Sequence, residues 1–335
     1  MILKNNEGYM SFKIGSVEIK GKVILAPMAG ITSFSYRKFM KRFNPALTYT
    51  EMISDCGLIY ENQRTLNYLK TDGSDRPLAV QIFGGKKDEL VKAISIIEET
   101  KIPYDILDLN LACPVNKVIK NNGGSSWLKN QDELFLMVSE VVQHSKKPVS
   151  CKIRLGFDKI NVEETVKTLE KAGVKFIAIH ARTRSQAYSG KANYESLKNI
   201  RDLIKIPFCI SGDIFSTKDA LEALKITRAD AVMVARGAVG NPELIENINK
   251  ALRGEKYNED LDLKKQYGYL KEYVRNLIEE YGEKRAISLL RGIAPKFFLK
   301  LSNSKQLRIE LSSKIEKEAD IYRICDKYIE ESKGI

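Results

Sequence analysis

The stretch Pro148–His180, PVSCKIRLGFDKINVEETVKTLEKAGVKFIAIH, carries the pattern that decides the fold. Its two ends, 148–155 and 175–180, are almost continuously apolar, which is typical of strands buried on both faces of a parallel sheet. Between them, 161–173 has apolar residues at helical spacing and ends in Gly173, a residue type favoured just beyond a helix C-terminus. The stretch therefore predicts one strand–helix–strand unit.

Similar units recur along the first two thirds of the chain. Eight of them in series predict a closed (β/α)8 TIM barrel with an outer ring of helices. An open doubly wound sheet is the alternative, but it usually has fewer strands and a Gly-x-Gly-x-x-Gly turn after the first one, where this chain has APMAGIT. The predicted strands cover 22–26, 46–50, 77–83, 104–110, 148–155, 175–180, 207–211 and 229–235, and the clearest helices cover 87–100, 161–173 and 217–227.

The character of the sequence changes after residue 250. Residues 253–260, RGEKYNED, have the composition of a linker, and the sequence that follows has helical periodicity with no strand-like run. We therefore predict a barrel domain over 1–250 and a small all-helical C-terminal domain over 251–335.

The composition is that of a soluble globular protein, with 43% hydrophobic and 29% charged residues. No apolar run approaches the about 20 residues that a membrane span needs. The N-terminus, MILKNNEGYM, lacks the apolar core of a signal peptide. A cytoplasmic location without membrane contact is therefore expected, and we predict a monomer.

The cysteines and histidines argue against a metal centre. The 5 cysteines are widely spaced and form no C-x-x-C motif, and there are only 2 histidines. This disfavours a disulfide framework, a structural zinc site and a His-rich metal site. We predict no metal, so redox chemistry would need a bound organic cofactor.

The net charge of +12 suggests a polyanionic partner. A merely lysine-rich composition is the alternative, but the basic residues are grouped. Three segments contain no acidic residue and several lysines or arginines, and they are 109–131, 171–194 and 284–309. Grouped charges of one sign produce a local field that a scattered excess does not.

Polar, charged or glycine residues follow all eight predicted strands. In barrels of this kind the chemistry lies on loops at the carboxyl ends of the strands, so these residues should converge on one site. They are Pro27, Met28, Ala29 and Gly30 after the first strand, Glu51 and Met52 after the second, Gln81 near the end of the third, Asn110 and Cys113 after the fourth, Lys152 and Arg154 at the fifth, His180, Arg182 and Arg184 after the sixth, Ser211, Gly212 and Asp213 after the seventh, and Ala235, Arg236 and Gly237 after the eighth.

The turns after the last two strands have the pattern of a phosphate site. Glycines there allow backbone N–H groups to approach a phosphate closely, and Arg236 adds positive charge. Lys152 and His180 would then face the barrel axis, where a flat ring such as a flavin can lie, with Gln81 and Asn110 at its edges. The alternative for Lys152 is an ion pair with a barrel carboxylate such as Asp108.

Cys113 differs from the cysteines inside apolar strands because it lies beyond a strand end. Pro114 restricts the turn, and the nearby Lys117 should raise the thiolate fraction. A thiol in this position can be a nucleophile or a general acid. No histidine stands at the spacing of a nucleophile's base, which favours the general acid.

Several motifs, in this order, resemble the bacterial tRNA-dihydrouridine synthases. They are LAPMAGIT, VQIFGG, LNLACPVNKV, CKIRLGF, IHARTRSQAYSGKA, ISGDI and VARGAVGNP, within 20–245. Further on, LLRGIAPKFFLKL resembles the helical C-terminal segment of that family.

The resemblance implies an FMN-binding catalytic barrel over 1–250 and a tRNA-binding helical domain over 251–335. NADPH would reduce the flavin, which would give hydride to C6 of a tRNA uridine, and Cys113 would protonate C5. Residues 116–128 would form a mobile lid over a uridine flipped out of its stack. The implied FMN contacts are Pro27, Met28, Ala29, Gln81, Lys152, His180, Ser211, Gly212, Asp213, Ala235 and Arg236, and the implied substrate contacts are Asn110, Lys117, Arg154, Arg182, Arg184 and Arg291.

Three other functions remain open at this stage. An FMN barrel of the dihydroorotate dehydrogenase type would act on a free pyrimidine, although the basic helical tail speaks against it. A non-catalytic RNA-binding barrel would have no need of Cys113 and Lys152. A flavin-free aldolase would use Lys152 to form a Schiff base.

Overall fold

Eight parallel strands close into a barrel in the computed structural model, which describes residues 3–4 and 10–333. The sheet order is β4-β12-β11-β10-β9-β8-β7-β5, and β6 also pairs with β7. Backbone hydrogen bonds from Ala46 N to Val23 O (2.8 Å) and from Leu25 N to Leu47 O (3.0 Å) close the ring. The strands are β1 (Leu3–Lys4), β2 (Met10–Ile14), β3 (Val17–Lys20), β4 (Val23–Leu25), β5 (Thr48–Tyr49), β6 (Ile53–Ser54), β7 (Leu78–Phe83), β8 (Ile106–Leu111), β9 (Val149–Arg154), β10 (Phe176–His180), β11 (Phe208–Ser211) and β12 (Ala231–Val234).

This architecture confirms the predicted (β/α)8 barrel. Each of the eight predicted strands is present, with its ends within two residues of the prediction. The agreement follows from burial, since nearly every residue of these strands is buried and most of them are apolar.

Helices follow the barrel strands and continue into the tail. In α7 the residues Thr165, Val166 and Leu169 form the buried face, and the chain leaves the helix through Gly173, whose φ of 96° suits glycine. Within the described residues, no helix combines the length and apolar character needed to cross a membrane. The helices are α1 (Phe34–Lys41), α2 (Asp55–Ile59), α3 (Gln63–Asn67), α4 (Lys87–Glu99), α5 (Asn116–Lys120), α6 (Gln131–His144), α7 (Val162–Lys171), α8 (Ile200–Leu203), α9 (Thr217–Thr227), α10 (Glu243–Arg253), α11 (Leu263–Tyr281), α12 (Glu283–Ile293), α13 (Lys305–Ser313) and α14 (Glu318–Lys333).

The antiparallel hairpin β2–β3, absent from the sequence-based prediction, contributes to the barrel interior. Ile14 and Ile19 of the hairpin are fully buried in the cluster of side chains that fills the barrel. The Phe12 ring stacks on that of Phe176 at the start of β10, with 5.7 Å between centroids. The hairpin therefore packs at the amino ends of the strands, opposite the ends that carry the polar residues.

The helical tail packs on the barrel through aromatic rings. Tyr273 of α11 meets Tyr36 of α1 edge-on at 5.6 Å, and Tyr269 meets Phe43 in the same way at 5.1 Å. These rings belong to one cluster of buried side chains that runs from the barrel into α14. The last barrel helix, α10, ends at Arg253, so the boundary predicted at residue 250 falls inside it.

Candidate active site

A cavity of about 400 Å³ opens at the carboxyl ends of the barrel strands. This size is typical of a site for a small organic ligand. All the residues predicted to contact the cofactor line it except Gln81, and the predicted substrate residues Asn110 and Arg154 do so too. Together with Cys113, these lining residues are Pro27, Met28, Ala29, Asn110, Lys152, Arg154, His180, Ser211, Gly212, Asp213, Ala235 and Arg236.

The lining carries more positive than negative charge. Lys152, Arg154 and Arg236 face a single carboxylate, that of Asp213. Within the described part of the chain, the Lys152 ammonium has no hydrogen-bond or ion-pair partner. Burial, followed by the Arg154 charge, lowers the pKa of Lys152 to about 8. The cavity therefore suits an anionic ligand that can compensate a partly buried ammonium.

His180 is a neutral member of the lining. Burial, reinforced by nearby cations such as Lys152, lowers the pKa of His180 to about 2. Arg182 Nη1 lies 3.4 Å from His180 Nε2. A guanidinium can only donate, so Nε2 accepts and the ring proton resides on Nδ1. His180 can therefore donate a hydrogen bond without adding charge.

Cys113 is a buried thiol on the cavity wall, with 8% of its surface exposed. Burial raises the pKa of the Cys113 thiol above its ordinary value, and the opposing effects of the Val115 backbone N–H and of the Arg154 and Lys152 charges are smaller. The expectation that Lys117 raises the thiolate fraction is therefore wrong, because the dominant effect is desolvation. A thiol that keeps its proton is suited to donating it.

Asn110 lies on the cavity wall, and Gln81 lies directly behind it. Asn110 Oδ1 accepts hydrogen bonds from the backbone N–H of Cys113 (2.9 Å) and of Ala112 (3.1 Å). Asn110 Nδ2 donates to Gln81 Oε1 (2.8 Å), and Gln81 Nε2 donates to Asp108 (2.7 Å). Gln81 is fully buried behind Asn110 and is not part of the cavity wall, so its direct contact with a cofactor stays a prediction.

The Asp108 carboxylate does not pair with Lys152. Its two oxygens accept from Gln81 Nε2 and from Ser150 Oγ, which accounts for its hydrogen bonds among the described residues. Burial raises the pKa of Asp108 to about 6. The ion pair considered as an alternative for Lys152 is therefore absent, and the ammonium is left for a ligand.

Two glycine turns shape the far side of the cavity. The backbone N–H groups of Gly212 and Asp213 donate to no acceptor in the described residues. Gly212 has φ 123°, and a Cβ there would lie 3.0 Å from the His180 ring. A Cβ on Gly237 would lie 2.1 Å from the carbonyl oxygen of Ile214. These features make a cradle with free N–H donors, as a phosphate group requires.

Arg182 lies behind the cavity and holds a loop. It is 2% exposed, and it bonds to the carbonyl oxygens of Ser189 (3.1 Å) and Gly190 (2.6 Å). It also forms a 2.6 Å ion pair with Asp213. The structure therefore does not support the expected direct substrate contact, because its donors are used by the protein.

The remaining predicted substrate residues lie outside the cavity wall. Arg184 donates to Asn116 Oδ1 (2.8 Å), and its guanidinium lies 4.9 Å from the Phe157 ring centroid. Lys117 is exposed on α5. Arg291 is in the tail, where its Nε (3.1 Å) and Nη2 (2.9 Å) donate to Ile315 O. Any contact of these three residues with a ligand would involve a part of it that extends beyond the cavity.

The segment 116–128, predicted to be a mobile lid, is partly fixed to the barrel. Its first part is α5, and a 3-10 helix over Gly124–Lys129 forms the second. Ser125 Oγ donates to Cys113 O (2.8 Å), and Trp127 Nε1 donates to Gly84 O (2.9 Å). The exposed basic side chains are therefore confined to the first part, next to Cys113.

Sequence reasoning did not assign two aromatic residues at the cavity. Tyr188 is 57% exposed, with the guanidinium carbons of Arg236 and Arg154 at 4.9 and 5.5 Å from its ring centroid. Phe215, 41% exposed, lies 5.6 Å from the Arg236 guanidinium carbon. Tyr188 lies within a motif quoted above, but nothing in the sequence indicates that its ring meets the arginines.

Comparison with solved structures supports the fold alone. A histamine dehydrogenase from Rhizobium sp. 4-9 matches with a TM-score of 0.53 and 14% identity, covering 73% of this chain and 48% of that one. A 6-hydroxypseudooxynicotine amine oxidase from Pseudomonas geniculata matches with a TM-score of 0.54 and 10% identity, covering 73% and 49%. This chain spans about half the length of each.

Comparison of sequences gives closer relatives. A probable tRNA-dihydrouridine synthase from Rickettsia bellii is 32% identical over 299 residues, 88% of this chain and 91% of that protein. One from Aquifex aeolicus is 34% identical, covering 86% and 90%. A tRNA-dihydrouridine synthase B from Pasteurella multocida is 32% identical, covering 83% and 84%. Residues 24–332 match the family described as Dihydrouridine synthase (Dus). The chain therefore belongs to the dihydrouridine synthase family, which is a family of oxidoreductases.

Proposed function

We propose that this protein reduces specific uridines in tRNA to 5,6-dihydrouridine, with FMN as its flavin and NADPH as the reductant. The observation that carries the proposal is that a buried, protonated thiol, Cys113, shares one cavity wall with the unpaired ammonium of Lys152. The names of the relatives, tRNA-dihydrouridine synthases, give the substrate class.

The residues present fit FMN. The free N–H groups of Gly212 and Asp213, with the half-exposed Arg236, offer donors and positive charge for its phosphate. Because Gly237 has no Cβ, the turn that contains it can pack closely against the carbonyl oxygen of Ile214. Lys152 supplies a partly buried positive charge for the ring system.

When bound and reduced by NADPH, FMN would supply the hydride for C6 of the uracil ring. Cys113 would donate its proton to C5, and the raised pKa of its thiol keeps that proton in place until it is needed. Asn110 would orient the base through the second N–H of its Nδ2 group, which after the bond to Gln81 makes only a weak 3.8 Å contact with Met52 Sδ. Lys152 would stabilise negative charge that develops in the cavity.

A uridine inside folded RNA reaches such a cavity only when it leaves its stack. The exposed part of 116–128, Arg184 and the basic tail would hold phosphates around the extruded nucleotide. Lys117 and Arg291 belong to this proposed RNA-binding surface, with 251–335 as the tRNA-binding domain. The exposed Tyr188 ring beside the cavity offers a stacking surface for a neighbouring base.

The test is an activity assay with purified protein, FMN, NADPH and unmodified tRNA. We expect dihydrouridine at defined positions in the tRNA and no turnover of free uracil or orotate. Turnover of a free pyrimidine with none on tRNA would instead favour an enzyme of the dihydroorotate dehydrogenase type. A colourless protein that takes up no FMN would contradict the flavin assignment. Position-resolved mapping in cells lacking the gene would then identify the uridines.

Substitution of Gly237 by alanine should weaken FMN binding. The added Cβ would lie 2.1 Å from Ile214 O, so the turn must shift. Overpacking of this kind lowers the free energy of unfolding by about 1–3 kcal/mol. We expect the FMN dissociation constant to rise about tenfold or more, measured by quenching of flavin fluorescence.

A matched control is Gly268→Ala on α11, where an added Cβ meets nothing within 4 Å. Alanine is the better helix former, so this variant should be unchanged in FMN binding and slightly more stable. Equal FMN affinity of Gly237→Ala and Gly268→Ala would remove this turn from the proposed phosphate site.

A further inference from the structure

A chain of hydrogen bonds runs from the barrel interior to the proposed proton donor. It starts at Asp108, which is fully buried on β8, and passes through Gln81 on β7 to Asn110. Asn110 then holds the backbone N–H of Cys113 at 2.9 Å. We call Asp108, Gln81 and Asn110 the amide relay. The roles proposed above for Cys113 and Asn110 do not explain what fixes the orientation of the Asn110 and Gln81 side-chain amides.

The direction in which each hydrogen bond of the relay donates follows from the groups at its two ends, which are backbone N–H groups and a carboxylate. The N–H groups of Ala112 and Cys113 can only donate, so the Asn110 oxygen must face them. Asn110 Nδ2 therefore points to Gln81, which must present its own oxygen. The Gln81 NH2 group is then directed to Asp108, which has to accept. This orientation of both amides can be satisfied only if position 108 offers an acceptor.

Asp108 is held in place as an acceptor. Ser150 Oγ donates to its Oδ1, while Gln81 Nε2 donates to its Oδ2. The N–H of Gln81 itself donates to Thr50 Oγ1 (3.0 Å), which fixes the position of its backbone. Because all of these groups are buried, loss of one acceptor would leave a donor unpaired, which is unfavourable enough to rearrange the relay.

We propose that Asp108 is a positioning residue, whose carboxylate sets the orientation of Gln81 and Asn110 and thereby the placement of the Cys113 turn on the cavity wall. Asp108 does not line the cavity and would touch neither cofactor nor substrate. The proposal rests on the proposed role of Cys113 as proton donor. The proposal gives a role to the Asp108 carboxylate, a buried group that takes no part in the reaction itself.

The test compares three variants by site-resolved alkylation of Cys113 with iodoacetamide, read by mass spectrometry. Gln81→Met removes the acceptor for Asn110, and Asp108→Leu removes the acceptor for Gln81. In both variants we expect the rate of Cys113 alkylation to rise about fivefold. This factor corresponds to the net free energy contributed by one hydrogen bond. Asp108→Asn should stay near the wild-type rate, since its oxygen can accept from Gln81 while its NH2 donates to Ser150.

Two internal controls accompany the comparison. Cys56, which is exposed and lies on α2, should be alkylated equally in every variant. Gln306→Met, on the exposed face of α13, should leave Cys113 alkylation unchanged. If Asp108→Leu does not fold, Gln81→Met still tests the link from Gln81 to the Cys113 turn, and the comparison of Asp108→Asn with Gln81→Met tests what Asp108 contributes. Dihydrouridine formation should fall about 10- to 100-fold in Gln81→Met at saturating tRNA, because the turn that carries the proton donor is misplaced.

Wild-type Cys113 alkylation in a folded Gln81→Met variant would overturn the proposal. An Asp108→Asn variant that is alkylated as fast as Gln81→Met would also overturn it. Asparagine keeps an oxygen that can accept from Gln81, so the effect of Asp108 would then not depend on that acceptor. The alkylation assay needs neither FMN nor tRNA. It therefore decides on the relay even if the protein makes no dihydrouridine.

Discussion

Replacement of Cys113 by alanine is expected to lower the rate of dihydrouridine formation at least about 100-fold while leaving flavin binding intact. General acid catalysis by a positioned group contributes about 10²- to 10⁴-fold, and Cys113 is the only thiol among the described residues that line the cavity. The carboxylate of Asp213 is ionised, since hydrogen bonds from Arg182 and Ala192 and the charges of Arg182 and Arg236 together outweigh burial and lower its pKa.

The structure explains why this variant should keep its shape. The bonds that hold the turn use the backbone of Cys113, with Asn110 and Ser125 as partners. Alanine removes only the sulfur atom and leaves both bonds in place. Oxidation of NADPH by the bound flavin should therefore continue, because that half of the reaction does not involve the thiol.

The measurement is a single-turnover assay in which reduced enzyme is mixed with unmodified tRNA and dihydrouridine is quantified. Cys56→Ala is the matched control, since that cysteine is exposed and lies outside the cavity. A dihydrouridine yield in Cys113→Ala equal to that of the control would eliminate the thiol as proton donor.

The barrel could be predicted from sequence because its strands are buried on both faces. Burial forces continuous apolar runs, as in 148–155, and these are distinct from the amphipathic helices between them. The hairpin β2–β3 was missed since its strands, MSFKI and VEIK, are short and carry alternating polar residues. Its contribution to the core depends on distant contacts such as Phe12 with Phe176.

For the site, the sequence predicts which strand ends contribute residues, but not which side chains face the cavity. Sequence identifies the strand end on which Gln81 or Arg182 lies, but the direction of a side chain depends on its neighbours. The structure turns both of them into hydrogen bonds within the protein, with Asp108 and Asp213. The pKa of Cys113 was expected to respond to a charged neighbour in sequence, whereas burial is the larger effect.

A methionine in place of Lys152 is expected to abolish most activity and to stabilise the protein without its cofactor. Removal of one preorganised charge or donor at a reacting centre lowers rates about 10²- to 10³-fold. Methionine has a similar length and no charge, so it can occupy the same part of the cavity wall without the unfavourable desolvation of an ammonium.

The stabilisation has a defined pH dependence. Burial lowers the pKa of Lys152 from 10.5 to about 8, so carrying the charge opposes folding. This penalty is complete below pH 8, declines between pH 8 and 10.5, and is absent above that range. At pH 7 we expect Lys152→Met to raise the free energy of unfolding by on the order of 2–3 kcal/mol, a difference that vanishes as the pH rises.

Urea unfolding of the cofactor-free proteins at pH 7 and pH 10 provides the measurement, with Lys175→Met as the control because Lys175 is exposed. A variant that is less stable than the wild type at pH 7 would mean that Lys152 has a partner in solution. Retention of dihydrouridine formation would show that no charge at this position is needed. Gain of stability together with loss of activity is the combination expected of a charge that is placed for a ligand rather than for the fold.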